Sequence, residues 1–154
     1  MEVIILSQQE DLAIDEDAVA HLVAAVLDHK QCHCDEVSIH FVDIEEITAL
    51  HEEFFDDPTP TDCITFPIDT DEESSAGSYR LLGEVFVCPA VAKEYASQNG
   101  LEVYHELSLY IIHGLLHLLG YDDIHEDDEQ KMREAEQELL HMAREKKLLL
   151  GTSR

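Results

Sequence analysis

The chain has 154 residues, 45% of them apolar, which is the usual size and composition of one domain able to bury a core of its own. Nine lysines and arginines stand against thirty-five aspartates and glutamates, a net charge of −26. Such a field repels nucleic acid at long range and favours basic partners or cations. No apolar run approaches the length of a membrane span, and the start, MEVIILSQQED, lacks the basic region of a signal peptide, so a cytoplasmic protein is expected. Four cysteines (Cys32, Cys34, Cys63, Cys88) then read as thiols in a reducing compartment. The exception to the acidic balance is local. Six of the nine basic residues (Lys131, Arg133, Arg144, Lys146, Lys147, Arg154) fall in the last 24 positions, either as a patch or as a solvated helix end.

Val3 to Leu6 is a short apolar run that suits a buried strand. Asp15 can cap a following helix, with Ile14 placed to staple against Val19, and Val19, Leu22, Val23 and Val26 recur at helical spacing. That helix fades near the CHC at 32–34. Val37, Ile39 and Phe41 alternate with Ser38 and His40, a strand with one buried face. Asp43 followed by Glu46 is a capping-box pattern, and Ile44, Ile47, Leu50 and Phe54 make the apolar stripe of a second helix.

The turn-forming DDPTPTD at 56–62 precedes a strand, CITFPI, and the polar, acidic segment at 69–79 reads as a mobile loop. LLGEVFVC at 81–88 is a fourth strand, and PAVAKEYASQ a helix stopped by Asn99 and Gly100. From about Glu102 to Leu119 runs the most apolar element, expected as the central helix. Val103, Leu107, Tyr110, Ile111, Leu115 and Leu118 share a wide face, with Glu106, His113 and His117 on another. A last helix opens with acidic EDDE and closes with basic REKK, as the macrodipole prefers, around a stripe of Met132, Ala135, Leu139 and Met142. The order β-α-β-α-β-β-α-α-α describes an α+β fold, a small mixed four-stranded sheet covered by about five helices, spanning 1–154 as a single domain.

HGLLHLLGYDDIH at 113–125 carries the chemistry. Histidines four apart share a helix face one turn apart, where two imidazoles can hold one metal ion. Where a zinc protease carries its glutamate base there is Gly114. A glycine stop then lets the chain turn back, so that Asp123 can reach the same ion, with Asp122 and His125 as rival third ligands. Two imidazoles and a carboxylate form a zinc set with a fourth position open for water, although the same donors suit non-haem iron. His29 and His33 form a second HxxxH beside Cys32 and Cys34, but at the frayed end of an amphipathic helix, and are read as having no ligand role.

These residues match a known family. HGLLHLLGYDD at 113–123 resembles HGxLHLxGYDH, the signature of the YbeY-type endoribonucleases, in which three histidines hold zinc. PTDCITFP at 60–67 is similar to the family's PTDVLSFP, and LGEVFVCPAVA at 82–92 to its LGDIxICPxxA. Three ordered blocks tie about residues 35 to 142 to the family. The resemblance implies one Zn2+ per chain and a metal-activated water that cleaves RNA in maturation of the 3′ end of 16S ribosomal RNA and in small-subunit quality control. It also implies ribosomal RNA, the small ribosomal subunit or an Era-type GTPase as partners, and the acidic surface would suit basic ribosomal proteins.

Carried over by position, the ligands are His113, His117 and Asp123, where the family has a third histidine; the added negative charge should make the bound water less acidic. Phe55 stands where the family usually has an arginine implicated in activity, which removes a cation for phosphate, and Arg80 is read as a solvated loop residue rather than its substitute. The base would come from Asp122, Glu106 or the substrate, with Thr61 and Asp62 fixing the turn beside the site. Two alternatives stand beside the nuclease: a zinc-containing ribosome-assembly binding protein with weak or lost cleavage, and a metallohydrolase on another substrate. The missing glutamate counts against a protease.

Overall fold

The computed structural model describes residues 1–69 and 79–151, so most of the expected acidic loop lies outside the described residues, as do positions 152–154. Strands β1 (Glu2–Gln8), β2 (Glu36–Val42), β3 (Cys63–Pro67) and β4 (Leu81–Val87) form one mixed sheet in the order β1-β2-β4-β3. The first three in that order run parallel and β3 is antiparallel on the edge. Helices α1 (Glu16–His29), α2 (Ile44–Phe55), α3 (Pro89–Asn99), α4 (Val103–Leu118) and α5 (Glu126–Glu145) complete the α+β fold expected from the sequence, in the expected order. Among the described residues no helix is long and apolar enough to cross a membrane.

Local chemistry explains the boundaries. Asp15 accepts from the Ala18 amide at 3.1 Å and Asp43 from the Glu46 amide at 2.8 Å, each satisfying an orphan donor at the start of its helix. In β2, Val37, Ile39 and Phe41 are buried on the face that packs against α1, α4 and α5, as their alternation requires. Helix α4 is buried over most of its surface, including Leu107, Ser108, Ile112, Leu115 and Leu116, as its strongly apolar sequence requires, while His113 and His117 remain partly exposed.

Two expectations need correction. Of the stripe on α2 only Ile47 is buried, while Ile44 and Phe54 are 40% and 54% exposed. This helix covers a small second cluster (Val42, Ile47, Ile64, Cys88) on the other face of the sheet, too small to bury the whole stripe, and Phe54 rests edge-on against Phe66 at 4.9 Å. Arg80 is not a solvated loop residue. It is buried, its amide donates to Asp35 at 2.6 Å and its guanidinium donates to the His33 carbonyl. It sits at the start of β4, about 20 Å by strand rise from the end of β4 beside which Asp62 lies.

Gly114 decides how closely α4 approaches the sheet. A Cβ there would lie 2.5 Å from Val85 Cγ1 and 2.9 Å from Cys63 Sγ, closer than carbon atoms tolerate. Val85 is fully buried in the second-from-edge strand and has a stiff branched side chain, so it cannot swing aside freely. Gly114→Ala is therefore expected to destabilise the fold by about 1–3 kcal/mol through overpacking. A lowered urea midpoint with an unchanged slope would show it; a midpoint equal to wild type would show that the strand gives way.

Candidate metal centre

Helix α4 places the two imidazoles on one face, rings perpendicular and 4.5 Å apart between centroids, with Nε2 to Nε2 at 3.0 Å. The helix ends at Leu118, Gly120 adopts a φ of 101°, and the Tyr121 amide donates back to the Leu116 carbonyl at 3.0 Å. That reversal returns Asp123 to the histidines, its Oδ2 lying 3.8 Å from His113 Nε2 and 4.0 Å from His117 Nε2. Among the described residues these three form the one group of metal-ligating side chains, with atoms within 4.8 Å of one another, that could hold a metal ion. The rival ligands do not join it: Asp122 accepts from the Ile124 amide at 3.3 Å, and His125 is exposed at the N-terminus of α5. His29 pairs with Glu138 at 2.9 Å, and His33 uses its carbonyl to hold Arg80, so the second HxxxH forms no cluster, and none of the four cysteines is in a disulfide.

The hydrogen bonds behind the imidazoles fix their protons. His117 Nδ1 lies 3.0 Å from the Tyr121 carbonyl, which can only accept, and His113 Nδ1 lies 2.6 Å from Glu136 Oε2, a carboxylate. Both Nδ1 atoms must donate, so in the neutral rings both Nε2 atoms carry lone pairs and point at each other. Burial, with His113 alongside, holds His117 below the ordinary imidazole range despite the Asp123 carboxylate, which keeps it in the neutral, ligating form. Two apposed lone pairs and a carboxylate oxygen want a cation between them. The three separations, 3.0, 3.8 and 4.0 Å, are short enough for the three atoms to share one metal ion.

Glu136 is the residue that sequence reasoning missed. It is 2% exposed, and burial drives its carboxyl upward, but hydrogen bonds from His113 and from Arg133 Nη1 (2.7 and 2.8 Å) outweigh that and hold it below the usual carboxylate range. The signal was present: Glu136 falls between Ala135 and Leu139 on the buried stripe of α5, where a carboxylate needs a reason. Asp62, Tyr110, His113, Asp123, Arg133 and Glu136 line one cavity of about 200 Å³. The turn role expected for Asp62 is met by its carbonyl, which accepts from the Cys88 amide at 3.1 Å, while its side chain also borders the cavity. Glu106 is buried two turns before His113 and is pushed up by burial and by Asp62, yet it does not line the cavity. Phe55 is 55% exposed at the end of α2 and offers no charge.

A carboxylate that orients a ligating imidazole typically contributes a factor of ten to a hundred in metal affinity. Glu136→Gln should weaken metal binding by about that factor in a chelator competition, with helix content unchanged. Affinity equal to wild type would show that the Glu136–His113 bond is only a way of satisfying a buried group.

The chain resembles known proteins over nearly its whole length. The family model described as Endoribonuclease YbeY matches residues 4–144. A protein named Endoribonuclease YbeY from Protochlamydia amoebophila is 49% identical over 144 residues, covering 94% of this chain and 93% of the relative. Another of that name, from Chlamydia caviae, is 42% identical over 155 residues, covering 98% and 96%. A solution structure of a Thermotoga maritima protein superposes with a TM-score of 0.60 over 96% of this chain and 95% of that one; at 24% identity it speaks for the fold. With a family match across nearly all the chain and relatives at this identity, the protein belongs to the YbeY endoribonuclease family.

Proposed function

We propose that this protein is a zinc-dependent endoribonuclease that cleaves ribosomal RNA during small-subunit maturation, 16S 3′-end formation and quality control. The observation that carries the reading is the apposition of two Nε2 lone pairs and the Asp123 carboxylate beside an open cavity. His113, His117 and Asp123 would hold the ion. Such an ion would supply Lewis-acid chemistry, acidifying a water and polarising a phosphoryl oxygen.

The protein's own groups supply the rest. Glu136 and the Tyr121 carbonyl keep the imidazoles in the ligating tautomer. Asp62 lines the cavity, and among the described residues its carboxylate accepts no hydrogen bond, which supports assigning it the role of the base that would take a proton from water. That assignment replaces Asp122 and Glu106, which do not border the cavity. Ribosomal RNA and the small subunit are the proposed partners, with basic ribosomal proteins or an Era-type GTPase drawn to the −26 surface.

A specific observation favours one alternative. Asp123 adds a negative charge to the ligand set, which weakens acidification of a water, and the acidic surface suits a binding protein of ribosome assembly that holds zinc without cleaving. Elemental analysis of wild type and Asp123→Ala, run beside cleavage of single-stranded RNA, decides between them. About one zinc per chain, lost together with cleavage in the variant, is the result expected of a three-ligand site. Zinc retained by the variant would remove Asp123 from the ligand set, and zinc without cleavage in wild type would leave the assembly-factor reading.

A further inference from the structure

We propose that Arg133 grips a phosphate of the RNA backbone beside the metal position, an inference that rests on the nuclease reading above. Its side chain is 53% exposed and lines the same cavity as His113, Asp123 and Asp62. Nη1 makes both of its hydrogen bonds to the buried Glu136 carboxylate, at 2.7 and 2.8 Å. Among the described residues the other two nitrogens, Nη2 and Nε, make none, so one edge of the guanidinium is anchored and a two-donor edge is left over. That edge is the fork that matches two phosphate oxygens, and an anchored fork loses less freedom on binding than a lysine on a flexible stem.

The charge of the cavity makes such a group necessary. Three carboxylates line it, Asp62, Asp123 and Glu136, against one guanidinium. A divalent ion would only balance the remainder, and a phosphodiester would still be an extra anion in a low-dielectric recess. Other cations are committed or distant. Arg80 is held at the far end of β4, Lys30 Nζ donates to the Tyr121 hydroxyl at 2.6 Å, and Lys131 borders a separate cavity with Tyr121 and Asp122. Phe55 brings no charge.

The competing explanation is that Arg133 serves only to neutralise Glu136, and hence to position His113. The two differ in what Arg133→Gln loses. Zinc-loaded wild type, Arg133→Gln and Arg133→Lys would be compared in three measurements: zinc affinity by chelator competition, KM and kcat on a short single-stranded RNA across a salt series, and inorganic phosphate binding by calorimetry. Phosphate contact predicts that Arg133→Gln keeps zinc affinity, raises KM about tenfold or more and weakens phosphate in parallel, as expected on losing a charge-assisted hydrogen bond. The slope of log affinity against log salt should fall by about 0.7, one phosphate contact to a single strand. Arg133→Lys keeps the charge without the fork and should recover part of the loss. Unchanged KM and salt slope in Arg133→Gln on an RNA that wild type cleaves would overturn the proposal and leave the nuclease reading intact. Loss of zinc in step with KM would overturn it in favour of positioning. If wild type cleaves no RNA yet binds phosphate through Arg133, the nuclease reading falls and the anion subsite stands; if it does neither, both fall.

Discussion

The seating of α4 against β3 and β4 is the constraint on which the site depends. At Gly114 the helix backbone meets Val85 and Cys63 with no room for a methyl group, and that contact lies between the two histidines. A helix so held cannot rotate without clashing, so the neighbouring face, which carries His113 and His117, is fixed in direction. The same packing buries the helix on the core side, where Leu107, Ile111, Leu115 and Leu116 meet α1 and α5. Rigidity reaches the imidazoles from both directions: from the sheet through the backbone, and from α5 through the Glu136–His113 bond. Preorganisation of this kind is what a metal site requires, because ligands that must be gathered from mobile segments cost ordering entropy.

Around that fixed face the few cations of the chain are unevenly placed. Between Lys30 and Arg80 there is no lysine or arginine, while fourteen aspartates and glutamates fall in the same stretch. The cations gather instead on α5 and the C-terminal end of α1, around the turn that brings Asp123 back. Lys30 sits 4.9 Å from the centre of the Tyr121 ring and bonds its hydroxyl, tying α1 to the residue whose carbonyl orients His117. The acidic balance nevertheless extends to the site: three carboxylates line the cavity against one guanidinium, and α5 carries eight aspartates and glutamates against three lysines and arginines, so a polyanion approaching there meets local cations within a net negative field.

Much of this was legible in the sequence, and the parts that were not share a physical cause. The elements, their order and the helix starts at Asp15 and Asp43 follow from periodicity and capping, which are local. The grouping of His113, His117 and Asp123 follows from a helical repeat and a glycine stop, again local. Glu136, Arg133 and the cavity side of Asp62 come from other elements, and no spacing rule connects position 136 to position 113. Arg80 illustrates the converse error: beside a polar segment it reads as solvated, but a tertiary contact with the 33–35 segment buries it. The exposed stripe on α2 has the same origin, since amphipathicity says that a face can be covered and says nothing of how much surface exists to cover it.

Gly114 also explains the absence of a glutamate after the first histidine. In a helix the residue next to a ligand points about 100° away, and here that direction is the sheet surface, where Val85 and Cys63 leave no space for any side chain. A base carried on the ligand helix is thus incompatible with the packing that makes the helix rigid. A further carboxylate beside the histidines must then come from outside α4, and the turn before β3 brings Asp62 to the cavity wall, joined to the end of β4 through its bond to Cys88. The strand whose cysteine excludes a side chain at 114 therefore directly follows the residue that brings a carboxylate to the cavity. Close packing and the arrangement of the candidate site are two consequences of one contact.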